Sequence, residues 1–150
     1  MNHANTHILT LTDTPDVKVR EAIRNKLFEF NLATGGDAGN RELAVFISES
    51  SEGPVVGGLL GLTSRGVLFI DTLYLPSVLR GIGLGSRVLA LAEREALARG
   101  CRNAVLNTFS FQAPEFYSRH GWREFGRVDC EPTGSSRIFM TKTLRPAASD

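Results

Sequence analysis

Leu79-Arg80-Gly81-Ile82-Gly83-Leu84-Gly85-Ser86 sets three glycines at alternate positions between an extended apolar run and a strongly helical one. Glycine tolerates backbone conformations that a Cβ forbids and leaves peptide N–H groups uncovered, and the helix that follows adds unpaired N–H groups and the positive end of its dipole. Such a loop is built to hold phosphate, with Arg80 adding a positive charge at its rim. Two commoner glycine loops do not fit. A P-loop needs Lys and then Ser or Thr after its last glycine, and no such pair follows Gly85. A dinucleotide fingerprint needs glycines at its first, third and sixth positions, but the sixth residue is Ser86 counted from Gly81 and Val88 counted from Gly83. The bland alternative, a turn without a ligand, has little use for three glycines and an Arg at a helix start.

The chain has 150 residues, which predicts one domain over 1–150 that buries roughly 68–70% of its unfolded surface and needs no staples. Cys101 and Cys130 are too few for a disulfide framework, and no Cys-x-x-Cys or Cys/His cluster points to a metal. No N-terminal apolar segment or long apolar run predicts export or membrane insertion, so the expected location is cytoplasmic. Seventeen basic residues against sixteen acidic ones leave a net charge of +1 with no Lys/Arg block, which argues against nucleic acid as the main partner.

Outward from the loop, the periodicities predict the remaining elements. His7-Ile8-Leu9-Thr10-Leu11-Thr12 alternates as a first strand, and Asp13-Thr14-Pro15-Asp16 reads as a turn and helix cap. Val19, Ile23, Leu27 and Phe30 recur at helical spacing, and Ala33 to Asn40 reads as loop. Leu43 to Ile47, Val55 to Leu62 and Val67 to Leu75 predict an antiparallel meander. After the glycine loop, Leu84, Val88, Leu91, Ala92 and Ala96 mark the inner stripe of a helix that Gly100 stops. Asn103 to Thr108 predicts a strand, Gln112 to Arg119 a short helix, and Arg123 to Val128 with Arg137 to Thr143 a closing pair before a frayed tail from Arg145 to Asp150.

This order, β-α-β-β-β-α-β-α-β-β, resembles the GNAT family of N-acetyltransferases over nearly the whole chain, and two motifs carry the likeness. Arg80 to Gly85 is similar to the family's acetyl-coenzyme A loop, Arg-x-x-Gly-x-Gly. Phe116-Tyr117-Ser118-Arg119-His120-Gly121-Trp122 is similar to its Tyr-x-x-x-Gly-Phe, with Trp in the last place. The resemblance implies a mixed α/β fold: a central, mostly antiparallel twisted sheet of about six to seven strands flanked by about four helices. It also implies acetyl-CoA as co-substrate, a small-molecule or peptide amine as acceptor, and a homodimer through the final strands, where Ile138-Phe139-Met140 serves either that purpose or the core. By the same resemblance Leu73, Tyr74 and Leu75 hold the pantetheine arm and polarise the acetyl carbonyl through backbone groups, while Arg80, Gly81, Ile82, Gly83, Leu84, Gly85 and Ser86 hold the pyrophosphate. Similar proteins often carry Asn seven residues before the motif tyrosine, on the coenzyme arm. Here that position is Ser110, so Ser110 or Gln112 stands in for the contact, or it is absent.

Acetyl transfer needs an amine that loses a proton, stabilisation of the developing oxyanion and a proton for the departing thiolate. Tyr117 is the candidate general acid, since a phenol of pKa near ~10 can return a proton to a thiolate whose conjugate acid lies near ~8.5. Its other reading is an aromatic that packs the short helix on the sheet. Asp71 is the candidate base, because twofold alternation places it with Leu73 and Leu75 in an apolar strand; its other reading is a carboxylate paired with an Arg or backbone N–H across the sheet. Glu49 and Glu52 are second candidates at a polar strand end. Phe109, Phe111 and Trp122 line an acceptor pocket or pack the core, and His120 reads as a cation at a helix C-terminus. Neither cysteine falls in a motif, so direct attack in a ternary complex is expected, with the acceptor entering beside the Val19-to-Asn40 region. A noncatalytic acyl-CoA sensor of the same fold is the rival reading, and an interaction domain without coenzyme the third.

Overall fold

A computed structural model describes residues 7–146, which fall into two compact units divided between Ala38 and Gly39. The first unit is built on helix α1 (Val17–Gly35). The Asp16 side chain caps it, accepting a 2.9 Å hydrogen bond from the Lys18 N–H, as a short polar side chain does at a helix start. The helix runs through Ala33-Thr34-Gly35, three residues into the stretch expected to be loop. It stops at Gly36, whose φ of 73° only glycine adopts freely and whose N–H bonds to the Leu32 carbonyl at 3.0 Å.

The expected strand over residues 7–12 is not formed. Alternation supplies a face, but a strand exists only through its ladder, and no pairing in the sheet includes these residues. The end of the expected frayed tail, 147–150, lies outside the described residues.

The second unit contains β1 (Arg41–Ser48), β2 (Val55–Ser64), β3 (Val67–Tyr74), α2 (Leu84–Ala98), β4 (Asn103–Phe109), α3 (Pro114–Arg119), β5 (Arg123–Cys130) and β6 (Ser135–Thr143). A 3-10 turn at Ser77–Leu79 precedes the glycine loop, so the described residues carry three α-helices and this turn where about four helices were expected. The six strands form one mixed sheet in the order β1-β2-β3-β4-β6-β5, antiparallel except where β3 meets β4. No helix among the described residues is long and apolar enough to cross a membrane.

One face of the sheet carries the core. Leu43, Leu59, Leu68, Ile70, Ala104, Leu106, Ile138 and Met140 pack with Val88, Leu89, Ala92 and Ala96 of α2 and with Tyr117 and Trp122. Two of the three apolar residues in the Ile138-Phe139-Met140 run are thus core. The inner stripe of α2 differs from the expected one at a single position: Leu91 is 49% exposed and Leu89 is 1% exposed. The row 88-92-96 stands as read, but its second row lies on the other flank, because the sheet beneath α2 decides which neighbour of the stripe is covered.

Strand β3 contains a bulge that changes its phase. Leu60 pairs Thr72 and Gly61 pairs Ile70, so Asp71 is the extra residue. Leu68 and Ile70 face the core before it, and Leu73 packs toward the core after it. Gly61 permits the close approach: a Cβ there would stand 2.6 Å from the Phe69 carbonyl oxygen.

Arg99 anchors the end of α2. Its Nε donates to Glu95 Oε1 at 2.8 Å, and its Nη1 lies 2.9 Å from the Glu42 carbonyl and 3.1 Å from Thr63 Oγ1, tying the helix to β1 and β2. The side chain is only 12% exposed, so these are charge-assisted bonds in a sheltered place. Arg99→Ala is expected to lower unfolding stability by about 2–3 kcal/mol, a fall in Tm of about 4–12 °C measured by thermal denaturation.

Candidate active site

Strands β3 and β4 run parallel but pair over only three positions, Val67 with Asn103 through Phe69 with Val105. Both continue beyond that point, β3 to Tyr74 and β4 to Phe109, held by β2 and β6 on their outer sides. The sheet is therefore split from Ile70 and Leu106 onward, open toward the carboxyl ends of two parallel strands, where α/β sheets take their ligands. Along the split, the backbone groups of β3 on its β4 side lack a ladder and suit a ligand that carries amides of its own.

The glycine loop joins the β3 side of this opening to α2. Gly81 has φ 79° and Gly83, the N-cap of α2, has φ 80°. The first helical hydrogen bond runs from the Arg87 N–H to the Gly83 carbonyl at 3.2 Å, so the N–H groups of Leu84, Gly85 and Ser86 precede the intrahelical ladder. Arg80 braces the loop by donating from Nε to the Leu75 carbonyl at 2.9 Å. Leu73, Tyr74 and Leu75 lead directly into this turn.

On the β4 side stands α3. It begins at Pro114 rather than Gln112, because Gln112 closes the preceding turn: its Oε1 accepts from the Phe109 N–H at 2.9 Å and from Thr108 Oγ1 at 2.7 Å. Ser110 is also engaged in the scaffold, its Oγ accepting from the Ser136 N–H at 2.9 Å. Phe109 stacks on Phe111 at 5.0 Å with the Arg137 guanidinium over its ring, Phe111 is exposed, and Trp122 is core.

Tyr117 is buried in α3, edge-on to Phe116 and to Trp122. Burial pushes its phenol up to about 12, so the hydroxyl holds its proton throughout the neutral range. Asp71 is elsewhere than expected. The bulge takes it out of phase with Leu73, and its carboxylate is exposed, accepting a 3.1 Å bond from Thr72 Oγ1 rather than standing among apolar side chains.

Two close approaches, between residues 34 and 31 apart in the chain, bring the motifs together. Ser86 Oγ lies 2.8 Å from His120 Nε2, and a Cβ on Gly85 would stand 3.4 Å from the Phe116 ring. His120 therefore has a partner on α2 as well as its place at the end of α3. Sequence reasoning did not reach this pair; its signal was a histidine inside one motif and a hydroxyl ending the other.

The site thus joins a split mixed sheet to a glycine loop at the mouth of its cleft, and the chains similar to this one are acetyltransferases. Residues 10–122 match the model of the acetyltransferase (GNAT) family, and the chain belongs to that family. It is 36% identical to acetyltransferase Atu2258 of Agrobacterium fabrum over 132 residues, covering 88% of this chain and 96% of the relative. It is 38% identical to blasticidin-S acetyltransferase of Streptomyces morookaense over 93 residues, 61% of this chain and 68% of that one. A crystal structure from Agrobacterium tumefaciens superposes with a TM-score of 0.85 at 34% identity, covering 91% of this chain and 99% of that one. Members of this family use acetyl-CoA, and the residues present fit it: loop N–H groups for its phosphates and ladderless backbone for its amide-bearing arm.

Proposed function

We propose that this acetyltransferase transfers the acetyl group of acetyl-CoA to a primary amine by direct attack in a ternary complex. The observation that carries the reading is the meeting of the glycine loop and the Tyr117 helix at the mouth of the split sheet, joined by Ser86 and His120. Acetyl-CoA supplies the activated thioester; the chain's own residues bind, orient and move protons.

Leu84, Gly85 and Ser86 offer N–H groups to the pyrophosphate, and the backbone of Leu73 to Leu75 lines the arm and polarises the carbonyl. As the acceptor nitrogen bonds to the thioester carbonyl and the C–S bond breaks, Tyr117, protonated throughout the neutral range, gives its proton to the departing thiolate and takes back the second of the two protons that the acceptor nitrogen loses, the first having gone to the base. Asp71, at the bulge of the strand beside the cleft, takes the acceptor's proton directly or through water. Direct attack needs no covalent relay, in keeping with neither cysteine lying in the motifs.

Isothermal titration with CoA and with acetyl-CoA, followed by an amine-library screen for thiol release, tests this. Saturable binding with amine-dependent release of CoA is expected. Binding without turnover on any amine favours a sensor of acyl-CoA, and absence of binding by the folded protein overturns the coenzyme reading.

A further inference from the structure

We infer that His120 is a positioning residue for the coenzyme phosphates, acting through the Ser86 hydroxyl and coupling coenzyme affinity to proton binding. The inference rests on the coenzyme reading of the glycine loop. The Phe116 ring and the backbone around His120 set the place of the imidazole. Its ring stands edge-on to Phe116 at 4.8 Å and 70°, the Phe116 ring faces Gly85, and the His120 backbone N–H bonds the Tyr117 carbonyl at 2.9 Å. So held, Nε2 meets Ser86 Oγ at 2.8 Å in a half-buried setting.

A hydroxyl has one proton and lone pairs to spare. Where Nε2 is bare, it accepts a hydrogen bond from the Ser86 O–H, and Ser86 turns only lone pairs toward the loop, which repel a phosphate oxygen. Where Nε2 carries hydrogen, Ser86 accepts from it and its own O–H is free to donate to phosphate beside the N–H groups of Leu84, Gly85 and Ser86. The imidazolium always presents Nε2–H and also brings a positive charge behind the hydroxyl. Phosphate binding and protonation of His120 therefore favour each other, and linkage makes the effect equal in both directions.

The charged groups on the surrounding elements are Arg80 in the loop, Arg87 on α2, Glu115 and Arg119 on α3, Arg123 on β5, and the Lys142–Glu93 pair joining β6 to α2 at 2.8 Å. Lys142 is the one of these that reaches the neighbouring Gly121. Histidine is the side-chain type whose charge ordinarily changes between about pH 5 and 8, so the coupling is read in that window.

The test is the Kd of CoA, measured by titration calorimetry from about pH 5.5 to 8.5, for the wild type, His120→Gln and His120→Phe. Glutamine places an amide N–H2 where Nε2 stands but does not titrate, so its profile also reports the titration of the ligand's own phosphate. The wild-type Kd is expected to weaken with rising pH by about five- to tenfold relative to His120→Gln, the size of an ordinary coupling between two sites. His120→Phe keeps a ring against Phe116 and is expected to bind several-fold more weakly than His120→Gln, with a profile parallel to it. Wild-type and His120→Gln profiles that coincide overturn the inference while leaving the coenzyme reading intact, as does a His120→Phe variant that binds as well as His120→Gln. No CoA binding by the wild type at any pH overturns the coenzyme reading and this inference with it.

Discussion

Gly83→Val is expected to raise the Kd for CoA by about 10–100-fold in calorimetric titration. Gly83 has φ 80° and caps α2, with nothing within 4 Å of where a Cβ would stand, so the penalty comes from the backbone and not from crowding. A left-handed conformation costs a side-chain-bearing residue about 1–2 kcal/mol, and more when it is β-branched. Relieving that strain turns the peptide N–H groups at the helix start away from their common focus. Gly85 behaves differently: it is helical, and a Cβ there meets the Phe116 ring at 3.4 Å and Leu75 Cδ1 at 3.6 Å. Gly85→Ala is therefore expected to bind nearly as the wild type does, while Gly85→Leu must displace Phe116 and is expected to lose coenzyme as Gly83→Val does. Circular dichroism melts of the variants establish that the fold persists. Full affinity in folded Gly83→Val would remove the loop from the phosphate site.

Tyr117→Phe is expected to lower kcat by about 10²–10⁴-fold with the Kd of acetyl-CoA unchanged within about twofold. The ring that packs against Phe116 and Trp122 remains and only the hydroxyl is lost, so a purely structural tyrosine predicts no loss of turnover. Burial carries a second consequence. Because desolvation raises the native phenol to about 12 against about 10 unfolded, both states are protonated at neutral pH and stability does not depend on this group there. From about pH 10 upward the unfolded chain sheds the proton first, and stability falls as pH rises toward 12, by up to about 2–3 kcal/mol. Urea titrations at pH 9 and pH 11.5 should show this loss in the wild type and its absence in Tyr117→Phe.

The parts of the site legible in the chain are those whose physics is local. A glycine with positive φ before an apolar stripe announces a helix start wherever it occurs, and Gly81, Gly83 and the run from Leu84 to Ala96 stand as their spacing implies. The meander of β1, β2 and β3 was equally legible, since its turns are short and its strands adjacent. Asp71 was not. Alternation counts residues along one strand, whereas a bulge is a relation between two, and the pairing of Leu60 with Thr72 and of Gly61 with Ile70 shifts Asp71 out of the phase its own neighbours suggest. Residues 7–12 show the same limit, because their alternation meets no ladder.

By itself, then, the sequence determined the order of elements from β1 to β6, the glycine loop at the start of α2 and the helix of the tyrosine motif, because capping, periodicity and glycine conformation act within a few residues. Tertiary structure alone decided three things: the split between β3 and β4 beyond Phe69 and Val105, the choice of Leu89 over Leu91 beneath α2, and the bond from Ser86 to His120. Each is a contact between groups far apart in the chain, settled by which surfaces the packed sheet brings together, and no local pattern encodes it.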